Sequence, residues 1–250
     1  MENKIITNHN YENNIRQLPK YLWLFQLSYV VVILIANWYD MRLIKLWFIE
    51  SDGGILIFPI TYIISDIITE VYGYKFARIS IWLGFLYNII FIVFGQIVTH
   101  LPSPHYALET NAIFNKLVNF NIRIIIASTF AYVVSEPINS YIMSKLKIMS
   151  SGKFMFVRFV VSTVFSGLLD SFIFGTIAFY GVFKLSYLLK FNLTLWVIKV
   201  FIEIINLPLS ISLVKKVKKL EKMDIYDFDT DYNLFNLNAT YDCKNNKYKF

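Results

Sequence analysis

Long apolar stretches separated by short polar segments dominate the chain, and they predict helices that cross a membrane. The stretch Ile81–Val98, for example, contains no charged residue, and a helix of roughly 20 mostly apolar residues is long enough to span a bilayer. Six such spans are predicted: Tyr21–Trp38, Ile55–Tyr72, Ala77–Val98, Ile122–Ser144, Phe156–Tyr180 and Leu193–Val214. The first and third are plain hydrophobic runs, whereas the other four carry polar or charged residues in mid-span.

The composition indicates the same class of protein. Of 250 residues, 56% are hydrophobic, 18% aromatic and 16% charged, against roughly 45–50% apolar and about 25% charged in soluble domains. A water-soluble domain of this length could not bury so much apolar side chain. The fold class predicted is an all-α integral membrane protein, a six-helix transmembrane bundle.

The rare residue types exclude several kinds of site. The one cysteine, Cys243, lies in the polar C-terminal segment and so permits neither a disulfide framework nor a cysteine metal site. The histidines His9, His100 and His105 lie in the N-terminal segment or in one loop. We therefore expect no metal and no cofactor.

The distribution of lysine and arginine predicts the orientation. These residues are concentrated before the first span, in the second and fourth loops and after the last span. The excess of basic residues on cytoplasmic segments places both termini in the cytoplasm. Three regions follow: a cytoplasmic segment 1–20, a transmembrane domain 21–214, and a tail 215–250 that begins basic, becomes acidic and rich in Asn, and is expected to be mobile. Its lysines serve as a topology signal or, alternatively, bind anionic lipid headgroups.

Ionisable residues inside the predicted spans are the strongest functional signal. There are eight of them: Asp66, Glu70, Arg123, Glu136, Arg158, Asp170, Lys199 and Glu203. Each costs roughly 2.5–3.5 kcal/mol at the centre of a membrane helix. Such residues face a protein interior or a wet cavity and mark a pathway or a binding site.

Their spacing predicts which of them face inward together. In the second span Phe58, Tyr62, Asp66 and Glu70 recur every four residues and form one stripe. In the sixth span Lys199 and Glu203 are four apart, so they could pair. The sequence thus predicts an acid-rich cavity lined by aromatic rings. The alternative for the polar stripes, above all their serines, is that they only hold the helices together.

One stretch resembles a known family. It runs Phe58-Pro-Ile-Thr-Tyr-Ile-Ile-Ser-Asp-Ile-Ile-Thr-Glu-Val-Tyr-Gly-Tyr-Lys75 and is followed by Ala77-Arg78 and Trp82-Leu-Gly-Phe85. It resembles the queuosine precursor transporters, which are similar to vitamin-uptake membrane proteins. Further similarities are Asn37, Arg123, Ala127-Ser128, Ala131-Tyr132, Asp170, Lys199 and Pro208. In place of the Gln or Gly and then Asp of many members, the fourth span has Ser135-Glu136-Pro137 and Asn139, so the role of Glu136 stays open.

The resemblance implies import of 7-deazaguanine precursors of queuosine (preQ0, preQ1 or queuine) across the bacterial inner membrane, for use in tRNA modification. A carboxylate can accept both the ring N–H and the exocyclic amine of such a base, and aromatic rings can stack on it. We assign Asp66 or Glu70 to the base edge, with Asp170 as a further ligand. The remaining assignments are stacking by Phe58 or Tyr62, polar contacts by Asn37 or Tyr132, and charge balance and gating by Arg123, Lys199 and Glu203.

Other functions compete with this one. The first alternative is an importer of another small heterocycle or vitamin energised by a partner ATPase, which the resemblance does not lead us to expect. The second is a membrane enzyme that uses paired carboxylates, and the third is a structural protein. Neither an enzyme activity nor a direct nucleic-acid contact is expected; the partners expected are the deazaguanine and membrane lipid. Proton coupling and facilitated diffusion are both open.

Overall fold

A computed structural model describes residues 19–40, 42–46 and 49–248. Most of the predicted cytoplasmic segment 1–20, including His9, therefore lies outside the described residues. Within these residues, six α-helices follow one another: α1 Leu22–Tyr39, α2 Phe58–Ile67, α3 Tyr74–Thr99, α4 Leu108–Met149, α5 Met155–Phe179 and α6 Leu185–Glu221.

Five of the six helices are long and apolar enough to cross a membrane, namely α1, α3, α4, α5 and α6. The second predicted span is built differently. It consists of a 3-10 turn, Gly53–Leu56, then α2 with ten residues and a π-helical turn, Ile68–Tyr72. Pro59 lies in the first turn of α2, where a proline costs no hydrogen bond, so it starts this helix without a kink. Pro137 and Pro208, in contrast, lie inside α4 and α6, where a proline can kink the helix.

A short antiparallel hairpin modifies the expected all-α fold. Its strands are β1 Leu43–Leu46 and β2 Ile49–Asp52, with Leu43 opposite Asp52. Apolar residues predominate in β1 and polar residues in β2, and a segment this short between two helices can satisfy its backbone by pairing with itself. The hairpin returns the chain so that Asp52 lies beside the end of α1.

The start of α1, the end of the π turn and the end of α6 meet at one end of the bundle, which we call the Glu221 end. The backbone N–H groups of Lys20 and Tyr21 donate to the Glu221 carboxylate at 2.9 and 2.7 Å. The Tyr72 hydroxyl donates to the same carboxylate at 2.6 Å. The chain therefore enters α1 and leaves α6 at the same end of the bundle.

The bundle is apolar outside and polar within. Leu27, Phe94 and Phe201 are among the large apolar side chains that are more than half exposed. Arg158 and Glu70, in contrast, are among the most completely buried side chains. Exposed apolar surface of this extent, around a charged interior, is what a lipid environment requires.

The segment after α6 packs against the start of α3. The Asp227 carboxylate accepts the Tyr74 N–H at 3.1 Å and the Ser144 hydroxyl at 2.7 Å. Arg78 is fully buried and donates to the carbonyls of Asp231, Asn233 and Asn238. The expected mobility of the tail stays a prediction, and the structure gives residues 224–246 this docked position.

Gly73 makes this docking possible. Its φ of +88° favours glycine, and a Cβ there would lie 2.5 Å from the Tyr241 hydroxyl and 2.9 Å from a methyl of Ile225. The Tyr241 hydroxyl accepts the Lys75 N–H at 2.9 Å and donates to Asp227. The helices are thus interrupted at Gly73, between the π turn and α3, and the C-terminal tail packs at this interruption.

Replacing Tyr241 by Phe should loosen the tail, because it removes the bond to Lys75 and the charge-assisted bond to Asp227. We expect a cost of about 1–3 kcal/mol, seen as faster hydrogen exchange across residues 224–246 by mass spectrometry. The matched control is Tyr106→Phe, since Tyr106 is 93% exposed and its replacement should change nothing. Equal exchange in both variants would contradict the docking described.

Candidate functional site

A cavity lies between the hairpin, α2, α5 and α6, at the end of the bundle opposite the Glu221 end. The empty space between these elements is about 490 Å³, including the part that opens to solvent. Its walls combine three carboxylates, one lysine and three aromatic rings: Asp40, Asp52, Asp170, Lys199, Phe58, Tyr62 and Phe174. We call this the outer cavity.

An ion pair and an aromatic pair form one wall of the outer cavity. Lys199 on α6 pairs with Asp170 on α5, and the Ser135 hydroxyl donates to the other Asp170 oxygen at 3.2 Å. The Phe58 and Tyr62 rings lie 5.5 Å apart between centroids, and the Lys199 ammonium lies 5.1 Å from the Phe58 centroid. Of the predicted site residues, the structure brings Phe58, Tyr62, Asp170 and Lys199 together here.

Two acids that the sequence analysis did not select complete the cavity. Asp40 follows α1 and is 4% exposed, and Asp52 ends β2 and is 9% exposed. Burial, and then the nearby Asp52 charge, raise the pKa of Asp40 well above its usual range, and burial raises the pKa of Asp52 as well. Gly54 leaves room for this arrangement, because a Cβ there would overlap the Asp40 carboxylate. The sequence carries only a weak signal for this arrangement. Two acids flank the short loop after α1, and the second acid is followed by Gly53-Gly54.

A second layer of acids lies one helical turn deeper. Asp66 on α2 and Glu203 on α6 are 1% and 0% exposed, and their carboxyl groups face each other. Beside them, the Ser65 hydroxyl donates to Glu136 at 2.8 Å. The pairing of Lys199 with Glu203 that their spacing allows is not formed, since Lys199 pairs with Asp170 and Glu203 faces Asp66.

The third layer, at the Glu221 end, is a buried ion cluster around Glu70. Arg158 donates to both Glu70 oxygens, at 2.8 and 2.7 Å, and Lys218 donates to one of them at 2.6 Å. Lys147 lies 3.6 Å from the same carboxylate and pairs with Asp224 at 2.7 Å. We call these five residues the Glu70 cluster.

Glu70 thus leaves the predicted stripe. A π turn takes more residues per turn than an α-helix, so a residue within Ile68–Tyr72 does not continue the four-residue spacing of Phe58, Tyr62 and Asp66. The structure places Glu70 among three cations and does not bring it to the outer cavity.

The other predicted site residues lie outside the cavity wall. Asn37 donates to Asn88 at 2.8 Å and accepts from Ser128 at 2.6 Å. The Tyr132 hydroxyl donates to the Ile81 carbonyl at 3.0 Å. Arg123 donates to the carbonyls of Ile177 and Tyr180 at the end of α5, where a cation complements the helix dipole. Ser128, which lines the cavity, connects Asn37 to it.

Within the described part of the chain, no group of three or more His, Cys, Asp or Glu side chains is placed to hold a metal ion. The acids of the three layers instead meet one another, a lysine, or the cations of the Glu70 cluster.

The comparisons with known proteins agree with this membrane architecture. Residues 52–213 match the family described as "Putative vitamin uptake transporter". The chain belongs to this family of transporters. The family segment begins at Asp52 and covers the cavity residues on α2, α5 and α6, and the protein is a multi-pass membrane transporter.

Two relatives carry a more specific name. The chain is 26% identical over 193 residues to the "Probable queuosine precursor transporter" of Bacillus subtilis (strain 168), covering 75% of this chain and 82% of the relative. It is 29% identical over 136 residues to the protein of the same name from Haemophilus influenzae, covering 52% of this chain and 53% of the relative. The expected resemblance to this family is confirmed. No solved structure matches the chain.

Two buried glutamates should respond to the same substitution with very different losses of stability. Glu70→Gln removes the carboxylate that balances three buried cations, so we expect a loss of about 3–5 kcal/mol. Glu203→Gln removes one of two facing acids and leaves an amide that can donate, so its effect should stay below about 1 kcal/mol. Thermal unfolding of both purified variants in the same detergent measures the difference. Equal destabilisation would contradict the distinction between the two layers.

Proposed function

We propose that this protein imports 7-deazaguanine precursors of queuosine across the bacterial inner membrane. Membership in a transporter family and the names of both relatives support a precursor of this kind. The single observation that carries the proposal is the outer cavity, where the Asp170–Lys199 pair lies next to the Phe58 and Tyr62 rings.

The chemistry of this wall suits a deazaguanine. The base offers a ring N–H and an exocyclic amine on one edge, and a carboxylate can accept both. Its carbonyl oxygen needs a donor, which the Lys199 ammonium supplies. Tyr62 and Phe58 provide flat apolar surfaces for the ring. We therefore move the edge contact from Asp66 or Glu70 to Asp170, because Asp170 reaches the cavity.

The remaining acids suit a substrate that carries an amine. Asp40 and Asp52 face the cavity from the hairpin side, and Lys199 is already paired with Asp170. An aminomethyl substituent is cationic near neutral pH and would pair with the Asp40–Asp52 carboxyls. The raised pKa values of these acids would fall as the cation enters, because an opposite charge favours the ionised form.

The proposal includes six crossings with the Glu221 end in the cytoplasm. The chain enters α1 and leaves α6 at that end, which an even number of crossings requires. α2 and its π turn would be the sixth crossing, shielded from lipid by the other helices. Lys215, Lys216 and Lys219 close α6 there, as the cytoplasmic excess of basic residues demands. The outer cavity would then open away from the cytoplasm.

Queuosine content of tRNA tests import directly. The host would be bacteria that cannot make the precursors and lack their own importer, grown with a low concentration of one precursor. The parent chain should restore queuosine. Asp170→Asn should reduce uptake by at least about tenfold, since it leaves Lys199 unpaired and weakens the edge contact by roughly 1.4 kcal/mol or more.

The matched control is Asp229→Asn. The Asp229 side chain is 88% exposed in the tail, so its replacement should leave uptake unchanged. All variants are compared at equal amounts in the membrane. Failure of an abundant, inserted parent chain with every precursor would overturn the substrate, and parental uptake by Asp170→Asn would overturn the site.

A further inference from the structure

The substrate contacts proposed above involve neither Asp66 nor Glu203. Both side chains are completely buried, at 1% and 0% exposure. Among the residues that the structure describes, no neutral or basic donor reaches the second Asp66 oxygen or either Glu203 oxygen. The two carboxyl groups face each other.

Two carboxyl groups can form a hydrogen bond only if one of them carries a proton, because an ionised carboxylate is purely an acceptor. In the part of the chain that the structure describes, the surroundings supply no free cation. Glu136 on α4 is a further acid, Glu70 is held by its cluster, and Lys199, one turn away on α6, is bound to Asp170. Two ionised carboxylates placed together out of water would repel each other, so the pair retains one proton between the outer cavity and the Glu70 cluster.

α2 and α6 each contribute one acid of the pair and part of the wall of the outer cavity. α2 holds Phe58 and Tyr62 as well as Asp66, and α6 holds Lys199 as well as Glu203. A substrate that contacts both helices in the outer cavity thus acts on the distance between Asp66 and Glu203.

Each helix has an irregular point close to its acid. The π turn begins at Ile68, two residues after Asp66, and Pro208 follows Glu203 by five residues inside α6. A proline removes one backbone hydrogen bond, and π turns are common at functional sites. These points allow α2 and α6 to part at the level of the pair while their ends stay packed.

We propose that the Asp66–Glu203 pair carries one proton inward with each substrate molecule, so that a proton gradient drives import. The proposal rests on the proposed function. When α2 and α6 part toward the cytoplasm, water reaches both acids, the O–H bond of the neutral one breaks, and its proton passes to cytoplasmic water. The two carboxylates meet again only after one of them takes a proton from the outer side.

Proteoliposomes containing the purified full-length protein separate coupling from transport. The probe is the labelled nitrile precursor, which is neutral, so its distribution does not itself respond to pH or voltage. With the membrane potential clamped at zero, an inward gradient of about one pH unit should drive about tenfold accumulation for one proton per substrate. Exchange of labelled for unlabelled substrate at equal pH measures transport without net proton movement.

Glu203→Gln should lose accumulation and keep exchange within about twofold of the parent, because the amide can hydrogen-bond to Asp66 but cannot release a proton. The matched control is Glu109→Gln, at an exposed position in the first turn of α4, which should keep both. If Glu203→Gln is not monodisperse after purification, Asp66→Asn is assessed by the same two assays.

The outcomes are distinct. A parent that exchanges the nitrile precursor but only equilibrates it under the gradient overturns the coupling and leaves the proposed function standing. A parent that does neither overturns both. Accumulation by Glu203→Gln overturns the assignment of the proton to this pair. Loss of exchange in a monodisperse Glu203→Gln protein also overturns it, because Glu203 would then take part in substrate binding.

Discussion

The pairing of Glu70 with buried cations is the interaction on which the rest of this structure depends. Arg158, Lys218 and Lys147 come from α5, α6 and α4, so this one carboxylate joins the second segment to three other helices. Charges cannot remain isolated in a lipid-embedded bundle, because the cost of desolvating each one is several kcal/mol. The helices must therefore meet where their charges do, and this fixes the Glu221 end.

With that end fixed, the polar groups of the interior form three layers that differ in how fully they are paired. The Glu70 cluster is fully paired and binds helices together. The Asp66–Glu203 pair lies between this cluster and the outer cavity, and neither Glu203 oxygen meets a hydrogen-bond donor among the described residues. The outer cavity has one ion pair and two further acids, Asp40 and Asp52. The hydrogen-bonding capacity left unsatisfied within the described residues thus increases from the Glu221 end toward the outer cavity.

Much of this arrangement could be predicted from sequence. Charges inside apolar segments identified the interior residues, and the four-residue spacing correctly placed Phe58, Tyr62 and Asp66 on one face of α2. The prediction failed where local geometry departs from a regular helix. The π turn moved Glu70 off that face, and the hairpin brought Asp40 and Asp52 together although no helical period relates them. The ion-pair partner of Lys199 also could not be predicted from sequence, since Lys199 could pair with Glu203 on its own helix or with Asp170 on another.

The central claim is that the outer cavity is a substrate site whose Asp170–Lys199 wall recognises a deazaguanine and whose Asp40–Asp52 wall recognises an amine. The most direct measurement is equilibrium binding of the aminomethyl and the nitrile precursors to the purified protein and to its Asp52→Asn variant. We predict saturable binding of both to the parent, and in Asp52→Asn about tenfold weaker binding of the aminomethyl form alone, a difference of roughly 1.4 kcal/mol. Absence of binding to the parent, or equal weakening of both forms, would contradict the claim.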